Sequence, residues 1–387
     1  MEKILDLLAS ETDGKCYKSF RYCADEELRI PTLAYDDNQN FTILKDKYGE
    51  DDTTLKEPKD LTALAKKIQQ SKPLFQFFLD GSRRTYKIDD IEINRRIFPI
   101  IAGQLGVACC ERQSPSKFKS AEFENNLVLS LPTAANPNTK NPELFFNLLK
   151  DKINSTKRIQ NAPAKFSKIL SYSSAVQEQG VKYEHLGIAQ IQNEMYLTEV
   201  KIVASLWQKN LLKEDAYLIK DGSLAYSKMQ TGDFKELTKI KNHYKRVVGI
   251  SKLFNPELCK DRGGKSNADK IAKLKLFHRT PAYMHQDSFT GDAKFSIWYL
   301  RIREAKRTDS PFAGVVKIEK ILVTDSELEN GLATEEVDLI TANIINERNP
   351  VCYGKDSRWA NHLYPVYLTE SFIKSKYLSD IHFLNLF

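Results

Sequence analysis

The fold of this chain is decided by two stretches that end on the same tripeptide, Leu74-Phe75-Gln76-Phe77-Phe78-Leu79-Asp80-Gly81-Ser82 and Ala216-Tyr217-Leu218-Ile219-Lys220-Asp221-Gly222-Ser223. Each is a short, mostly apolar run halted by Asp-Gly, which is the pattern of a buried strand with a turn at its end. The pattern predicts one carboxylate at each strand tip, where a sheet meets solvent. Two carboxylates brought together there are the minimum needed to hold a divalent cation between oxygen ligands.

Size and composition favour a globular protein with a packed core. The chain has 387 residues, of which 41% are hydrophobic and 28% charged. Its longest apolar stretches, such as residues 97–108, are too short and too interrupted to cross a bilayer. Residues 1–6 carry acids within their apolar run, which is unlike a signal peptide. These features predict a cytoplasmic protein that does not bind membranes.

The cysteines and histidines do not form a recognisable catalytic or zinc motif. No Cys-x-x-Cys pair occurs, so reduced thiols are expected at Cys16, Cys23, Cys109, Cys110, Cys259 and Cys352. No Gly-x-Ser-x-Gly is present, and the six histidines show no pairing at metal spacing. His362 alone stands near a candidate site residue, Tyr364, and it is expected to be a surface or packing residue.

The first half of the chain reads as a helical extension followed by strands. Residues 1–72 are expected to be mostly helical, with an amphipathic helix at 61–68 and a loop or extended arm at 35–59. A meander of about three strands is predicted between Leu74 and Leu131, in which residues 83–88 return from the first strand as a hairpin. The proline-containing segment at about 132–180, with a helix near 143–152, is interpreted as an insertion away from the sheet.

The second half alternates strands with helices. The predicted helices cover about 182–212, 233–246, 334–345 and 365–377, and the predicted strands cover 216–220, 247–251, 295–302 and 314–318. Such an order predicts an α/β fold with one mixed sheet and helices on its faces. The predicted division is an N-terminal region at 1–72 and a main domain at 73–387.

Two glutamates are candidates to join the two aspartates. Glu199 lies on the long helix, 22 residues before Asp221, and Glu370 lies on the first turns of the last helix. With Asp80 and Asp221 they would form an oxygen cage for Mg²⁺ or Mn²⁺, the arrangement that many nucleases use. The ordinary alternatives stay open, because Asp-Gly is a common turn pair and helical glutamates are usually solvated.

A basic stretch follows the second Asp-Gly-Ser. Residues 228–279 contain 14 Lys and Arg against 5 Asp and Glu. Such an excess suits a polyanion such as DNA or RNA, although a solvated helical face would have the same composition. Lys252, at the end of a predicted strand, is a candidate to contact a phosphate or to offset developing charge.

The order of these motifs resembles the NurA nuclease domain over about residues 74–375. It comprises Phe78-Leu79-Asp80-Gly81-Ser82, a helix with Glu199, Leu218 to Leu224, Val247 to Lys252, Ile297 to Arg301, Gly314 to Ile318, and Tyr364-Pro365 opening the last helix. The resemblance implies an RNase H-like core related to the Piwi nuclease domain. It also implies Mn²⁺-dependent DNA cleavage by a homodimer that works on a HerA-type hexameric ATPase.

Residue roles follow from the same resemblance. Asp80 and Asp221 resemble the family's metal ligands, with Glu199 as a third, and Lys252 resembles a phosphate contact. The expected nucleic-acid contacts are Lys252, Arg301, Lys317 and Tyr364. The chain departs from the family at Thr369-Glu370, where Ala-His or Ala-Asp often follows Tyr-Pro; the glutamate keeps an oxygen donor but loses a histidine's proton-transfer capacity.

The resulting hypothesis is a metal-dependent DNA nuclease that acts with a HerA-type translocase in DNA end processing or antiviral defence. Exonuclease action is expected, with possible cleavage of single strands. Two alternatives remain at this stage. One is a non-catalytic nucleic-acid-binding or scaffold subunit, prompted by the Thr369-Glu370 departure, and the other is a nuclease directed at RNA.

Overall fold

One mixed sheet organises the residues that the computed structural model describes, which are 4–24, 41–137, 141–176, 181–224, 234–261, 263–287, 293–308, 310–348 and 359–387. Parallel and antiparallel strands both belong to it, and helices pack on both of its faces. The predicted α/β fold class is confirmed, and the mixed, helix-flanked sheet is consistent with an RNase H-like fold. No helix among the described residues is long and apolar enough to cross a bilayer.

The sheet comprises fourteen strands among the described residues, and three of them, β5, β6 and β7, are much longer than the rest. The strands are β1 (Lys15–Tyr17), β2 (Tyr22–Cys23), β3 (Phe41–Tyr48), β4 (Lys59–Asp60), β5 (Phe75–Ile93), β6 (Arg96–Ser114), β7 (Lys117–Pro132), β8 (Phe166–Tyr172), β9 (Tyr217–Asp221), β10 (Val247–Ser251), β11 (His278–Arg279), β12 (Tyr283–Asp287), β13 (Ala293–Arg301) and β14 (Val315–Ile321). Its main path runs β3-β12-β13-β14-β10-β9-β5-β6-β7-β8. Strands β5, β6 and β7 are antiparallel, whereas β9 pairs in parallel with both β5 and β10.

Helices cover the two faces of this sheet. They are α1 (Ile4–Glu11), α2 (Thr62–Ile68), α3 (Pro142–Ser155), α4 (Lys157–Gln160), α5 (Tyr183–Gln208), α6 (Phe234–Tyr244), α7 (Ala268–Ala272), α8 (Asp325–Asn330), α9 (Thr334–Glu347), α10 (Tyr364–Lys374) and α11 (Asp380–Leu384). Helix α5 packs on the face that carries Leu79 and Leu218. Helix α9 packs on the other face, which carries Phe78 and Ile219. Neighbouring residues in a strand point to opposite faces, so each strand supplies both layers of the core.

The first Asp-Gly-Ser does not end its strand, contrary to the sequence prediction. Strand β5 continues through Asp80 to Ile93, and residues 83–88 extend it instead of returning as a hairpin. The chain reverses only at Asn94-Arg95, where both residues have positive φ, as a two-residue type I′ hairpin turn requires. Strand β6 pairs with β5 along this whole length, so its ladder of hydrogen bonds keeps β5 extended beyond the aspartate.

Several predicted elements are confirmed and others are corrected. The predicted helices at 61–68, 143–152, 182–212, 334–345 and 365–377 correspond to α2, α3, α5, α9 and α10. The prediction of a mostly helical N-terminal region is wrong, because β1 and β2 pair with β5. Residues 41–48 of the expected arm form strand β3, which pairs with β12. The segment at 132–180 is not wholly outside the sheet, since β8 pairs in parallel with β7. The five cysteines among the described residues are free thiols, while Cys352 lies outside those residues.

Candidate functional site

The two aspartates of the repeated tripeptide lie on adjacent parallel strands. Leu79 of β5 is in register with Lys220 of β9, so the next residues, Asp80 and Asp221, lie side by side. Because side chains alternate along a strand, both carboxylates belong to the face that carries Phe78 and Ile219. The fold therefore brings together two residues that are 141 positions apart in the chain.

Asp80 is a strongly perturbed carboxyl group. It is only 5% exposed, and its Oδ2 has no hydrogen-bond partner among the described residues. Burial raises the pKa of Asp80 well above its ordinary value, and the neighbouring carboxylate of Asp221 raises that pKa further. Both effects disfavour the charged form. A positive charge placed at this carboxylate would relieve both of them.

Lys252 supplies one such positive charge from the neighbouring strand. Ile250 of β10 is in register with Asp221, so Lys252, two residues later, belongs to the same face. Its Nζ lies 2.9 Å from Oδ2 of Asp221, and the lysine is 2% exposed. The Nδ2 of Asn361 donates to the backbone oxygen of Lys252 at 2.7 Å, which holds the end of β10 in place.

Glu370 approaches the same face from helix α10. Burial by itself would raise the pKa of Glu370, but Lys252 and Lys374 together lower it below its ordinary value. The Nζ of Lys374, one helical turn later, donates to Glu370 Oε1 at 2.7 Å. Glu370 also raises the pKa of Asp80, after burial and Asp221, so the structure places its charge close to the aspartate pair.

Close packing against β6 positions helix α10. Gly106 of β6 pairs with Ser82, and a Cβ added at Gly106 would overlap with the side chain of Ile373. The absence of a side chain at this glycine lets the helix approach the strand directly. This contact fixes how closely α10, which carries Glu370, packs against the sheet.

Glu199 lies beneath the sheet, on the face covered by α5. Its Oε2 is 3.1 Å from Nζ of Lys220, and both side chains are 3% exposed. Lys220 precedes Asp221 in β9 and therefore points to the opposite face. Burial raises the pKa of Glu199 while Lys220 lowers it, and Glu199 is near enough to raise the pKa of Asp80. The structure thus pairs Glu199 with a lysine and does not bring it to the face of the other predicted metal ligands.

The glycines of the two tripeptides serve different physical purposes. Gly222 has a φ of +80° and forms the true turn at the end of β9. Gly81 lies inside β5, and a Cβ there would overlap with Oε1 of Glu199 and press on Met195. One glycine is needed for backbone conformation and the other for the close approach of α5, although the sequence pattern is identical.

Three of the predicted nucleic-acid contacts lie away from a binding surface or away from the aspartates. Arg301 is 1% exposed, and its guanidinium donates to the backbone oxygens of Ala272, Pro311 and Ala313 at 2.8–3.2 Å. Lys317 is 3% exposed and pairs with Glu319 at 2.8 Å, so both predicted surface contacts are corrected to buried structural roles. Tyr364 is half-buried at the start of α10, six residues before Glu370, or about 9 Å along the helix axis.

Sequence reasoning missed two residues beside the cluster. Tyr377 follows α10, and a Cβ added at Gly106 would lie 3.3 Å from its phenol oxygen. Burial raises the pKa of Tyr377, and the charge of Asp80 contributes to that rise. Lys220 was overlooked although it directly precedes Asp221. Its position inside an apolar strand was the available signal, because a lysine there must find a buried partner. His362, by contrast, is buried and packs its ring against Tyr367, as expected for a packing role.

The aspartate pair suits a hard divalent cation. Carboxylate oxygens are the ligands that Mg²⁺ and Mn²⁺ prefer, and Oδ2 of Asp80 is a buried acceptor without a hydrogen-bond partner in the described part of the chain. Within those same residues, no three His, Cys, Asp or Glu side chains are already grouped so that they could hold a metal ion. The fit therefore concerns the two aspartates, with Glu370 as a further carboxylate close enough to influence the pKa of Asp80. No protein-family model and no curated protein sequence matches the chain.

Proposed function

We propose that this chain is a divalent-metal-dependent DNA nuclease. The observation that carries the proposal is the adjacency of Asp80 and Asp221 on parallel strands, where burial and mutual repulsion favour the arrival of a cation. A pair of carboxylates beside a buried lysine is a suitable arrangement for binding and cleaving a phosphodiester. The sequence resemblance to the NurA domain supports the same function through the same residues.

Asp80 and Asp221, with Glu370, are the residues that would hold Mn²⁺ or Mg²⁺. Such an ion, when bound, polarises a phosphate and supplies hydroxide at neutral pH. Lys252 lies between the two acidic elements, because it pairs with Asp221 and lowers the pKa of Glu370. Although it is buried, its ammonium group beside the aspartates would offset charge that develops on a phosphate held at this site.

The segment that follows Lys252 supports a nucleic-acid substrate. Five exposed lysines follow the end of β10, namely Lys260, Lys265, Lys270, Lys273 and Lys275. The segment that carries them follows β10 and Lys252 directly in the chain. Exposed cations grouped in this way attract a phosphate backbone without reading its sequence. DNA is the proposed substrate because the resemblance is to a DNA nuclease.

The direct test is degradation of plasmid and single-stranded DNA in Mn²⁺ or Mg²⁺ by wild type, Asp80→Asn and Asp221→Asn. Both variants should lose cleavage. Asp215→Asn is the matched control, because Asp215 stands on the loop before the same strand and its side chain is 64% exposed in a surface ion pair. The control should cut like wild type. Unchanged cleavage in either cluster variant would remove this mechanism.

A second candidate is a non-catalytic nucleic-acid-binding subunit with the same fold. The pairing of Lys252 with Asp221 favours it, since an internal cation already neutralises one of the two aspartates. This function predicts DNA binding that weakens steeply with salt, without cleavage in any divalent ion. Parallel digestion of RNA separates both candidates from a nuclease directed at RNA.

The proposed partners follow from the resemblance alone. They are a HerA-type hexameric ATPase and a second copy of this chain, in the cytoplasm, with a role in DNA end processing or antiviral defence. Light scattering of the purified chain tests the homodimer. Co-purification with the product of an adjacent ATPase gene tests the translocase, and a monomer that binds no such ATPase would contradict both.

A further inference from the structure

A buried ion pair joins the two elements that lie under the aspartates. Glu199 of α5 and Lys220 of β9 are 3.1 Å apart, and each side chain is 3% exposed. Burying two charges costs desolvation energy that their attraction often only offsets, so fold stability by itself is a weak explanation for such a pair. The groups that this pair contacts provide a better one.

Lys220 uses its ammonium group to hold the turn that follows Asp221. Its Nζ donates to the backbone oxygen of Asp221 at 2.8 Å and to that of Ser223 at 3.0 Å, while Glu199 lies at 3.1 Å. Two of the three donors of the ammonium group therefore serve these backbone oxygens, and its charge lies beside the carboxylate of Glu199. The backbone on either side of Gly222 is thereby held by a cation from the opposite face.

A second buried charge, Glu319 of β14, holds the same turn from two strands away. Glu319 Oε2 accepts from Ser223 Oγ and from the backbone N–H of Leu224, both at 2.8 Å. The N–H of Gly222 donates to the backbone oxygen of Ile250, also at 2.8 Å. The carbonyls of Asp221 and Ser223, the hydroxyl of Ser223 and the amides of Gly222 and Leu224 are therefore each held by a partner outside this turn.

Glu199 also contacts the other aspartate strand. Its Oε1 fills the space that a side chain at Gly81 would occupy, directly beside Asp80. One carboxylate group thus touches β5 through Oε1 and β9 through Lys220. We propose that the Glu199–Lys220 pair is a positioning device, which sets the spacing of Asp80 and Asp221 from the opposite face of the sheet. This inference rests on the proposed function, since it assigns these residues to the same cation site.

The test compares Mn²⁺ affinity, measured by titration calorimetry, among variants of the full chain. Glu199→Gln and Lys220→Met should weaken Mn²⁺ binding about 10-fold or more, as loss of a residue that orients a metal ligand typically does. Lys220→Arg should retain more affinity than Lys220→Met, because it keeps the cation. Ser223→Ala, a milder change with little risk to folding, should weaken binding by a smaller factor.

A buried pair elsewhere in the sheet provides the matched control. Glu347 and Arg112 are 2.6 Å apart with side chains 8% and 6% exposed, so Glu347→Gln disturbs a similar pair without touching residues 221–224. It should lower the melting temperature but keep wild-type Mn²⁺ affinity. Equal losses of affinity in Glu347→Gln and Glu199→Gln would overturn the positioning role, as would wild-type affinity in Glu199→Gln, Lys220→Met and Ser223→Ala.

Separate readouts distinguish this inference from the proposed function. Wild type that binds Mn²⁺ but leaves DNA intact would refute the nuclease while the variants still decide the positioning role. Wild type that cuts DNA, with variants that bind Mn²⁺ normally, would refute only the positioning role. Wild type that binds no Mn²⁺ would overturn both.

Discussion

Replacing Asp80 by asparagine should make the metal-free protein more stable, not less. The wild-type carboxylate is buried, its Oδ2 has no hydrogen-bond partner in the described chain, and Asp221 lies on the adjacent strand. Asparagine has nearly the same shape but no charge, so it removes the repulsion without creating a cavity. Stability lost to an accumulation of charge is typical of functional sites.

The size of the effect follows from these contacts. An unsatisfied buried acceptor costs about 1–3 kcal/mol, and more when it is charged. An unfolding entropy of about 2.1 cal/mol/K per residue gives roughly 0.8 kcal/mol/K for 387 residues. A stabilisation of about 2 kcal/mol therefore corresponds to a rise of roughly 2.5 °C in Tm. With Mn²⁺ at 100 times its Kd, wild type should become more stable than Asp80→Asn, because bound Mn²⁺ adds about 2.7 kcal/mol to the stability of wild type only.

Calorimetry or dye-based melting in EDTA and in Mn²⁺ measures both effects. Asp338→Asn is the matched control, since Asp338 is a buried carboxylate that instead accepts from Arg279 Nε at 2.7 Å and Lys59 Nζ at 2.6 Å. Removing its charge weakens the hydrogen bonds to Lys59 and to Arg279, which keeps its own bonds to Glu50, so this variant should lose about 1–3 kcal/mol. The two substitutions are chemically identical, but their effects on the free energy of unfolding should have opposite signs.

The advantage of Asp80→Asn should also depend on pH. The pKa of Asp80 is raised above its ordinary value of 3.8 in the folded protein, so the stability penalty is complete at pH values above that raised pKa. As pH falls from the raised pKa towards 3.8 the penalty shrinks, and below 3.8 the difference in Tm should disappear. A destabilised Asp80→Asn at neutral pH, or equal Mn²⁺ stabilisation of variant and wild type, would refute the reasoning.

Two further substitutions test the neighbouring elements. Lys252→Met removes the cation that pairs with Asp221, so cleavage should slow about 100-fold or more. Mn²⁺ binding, measured by calorimetry across pH, should begin at higher pH because the carboxylates lose a neighbouring positive charge. An unchanged pH profile would contradict this role. Gly106→Ala forces a methyl group into Ile373 and should cost about 1–3 kcal/mol, seen as a lower Tm. Gly263→Ala, in an exposed turn, is its control, and equal melting of the two variants would show that α10 does not depend on this contact.

Hydrophobic patterning predicted the core elements of the sheet before any contact was known. The runs at 74–79 and 216–220 became β5 and β9, and the stripe at 182–212 became α5. These predictions succeeded because the burial of one or both faces of an element determines the spacing of apolar residues along the local sequence. The adjacency of the two aspartates follows from such runs becoming neighbouring strands.

Sequence reasoning failed where a charged residue has the same local sequence pattern whether it is buried or exposed. Arg301 looks like a surface cation, yet its guanidinium is buried and donates to three backbone oxygens in the interior. Glu199 was predicted to join the aspartates, but its helix α5 packs on the opposite face of the sheet, where Glu199 pairs with Lys220. Tertiary packing decides which face of a sheet a helix covers, and no local period records that choice.

The amino-acid order alone determined that two acid-bearing strands belong to one mixed sheet covered by helices. Only the tertiary structure decided that Asp80 lies within a continuous strand, whereas Asp221 precedes a true turn. The physical reason is that β6 pairs with β5 beyond Asp80, while Gly222 adopts a positive φ that ends β9. Identical tripeptides thus acquired different conformations from their neighbours, and the two carboxylates nevertheless reached the same face.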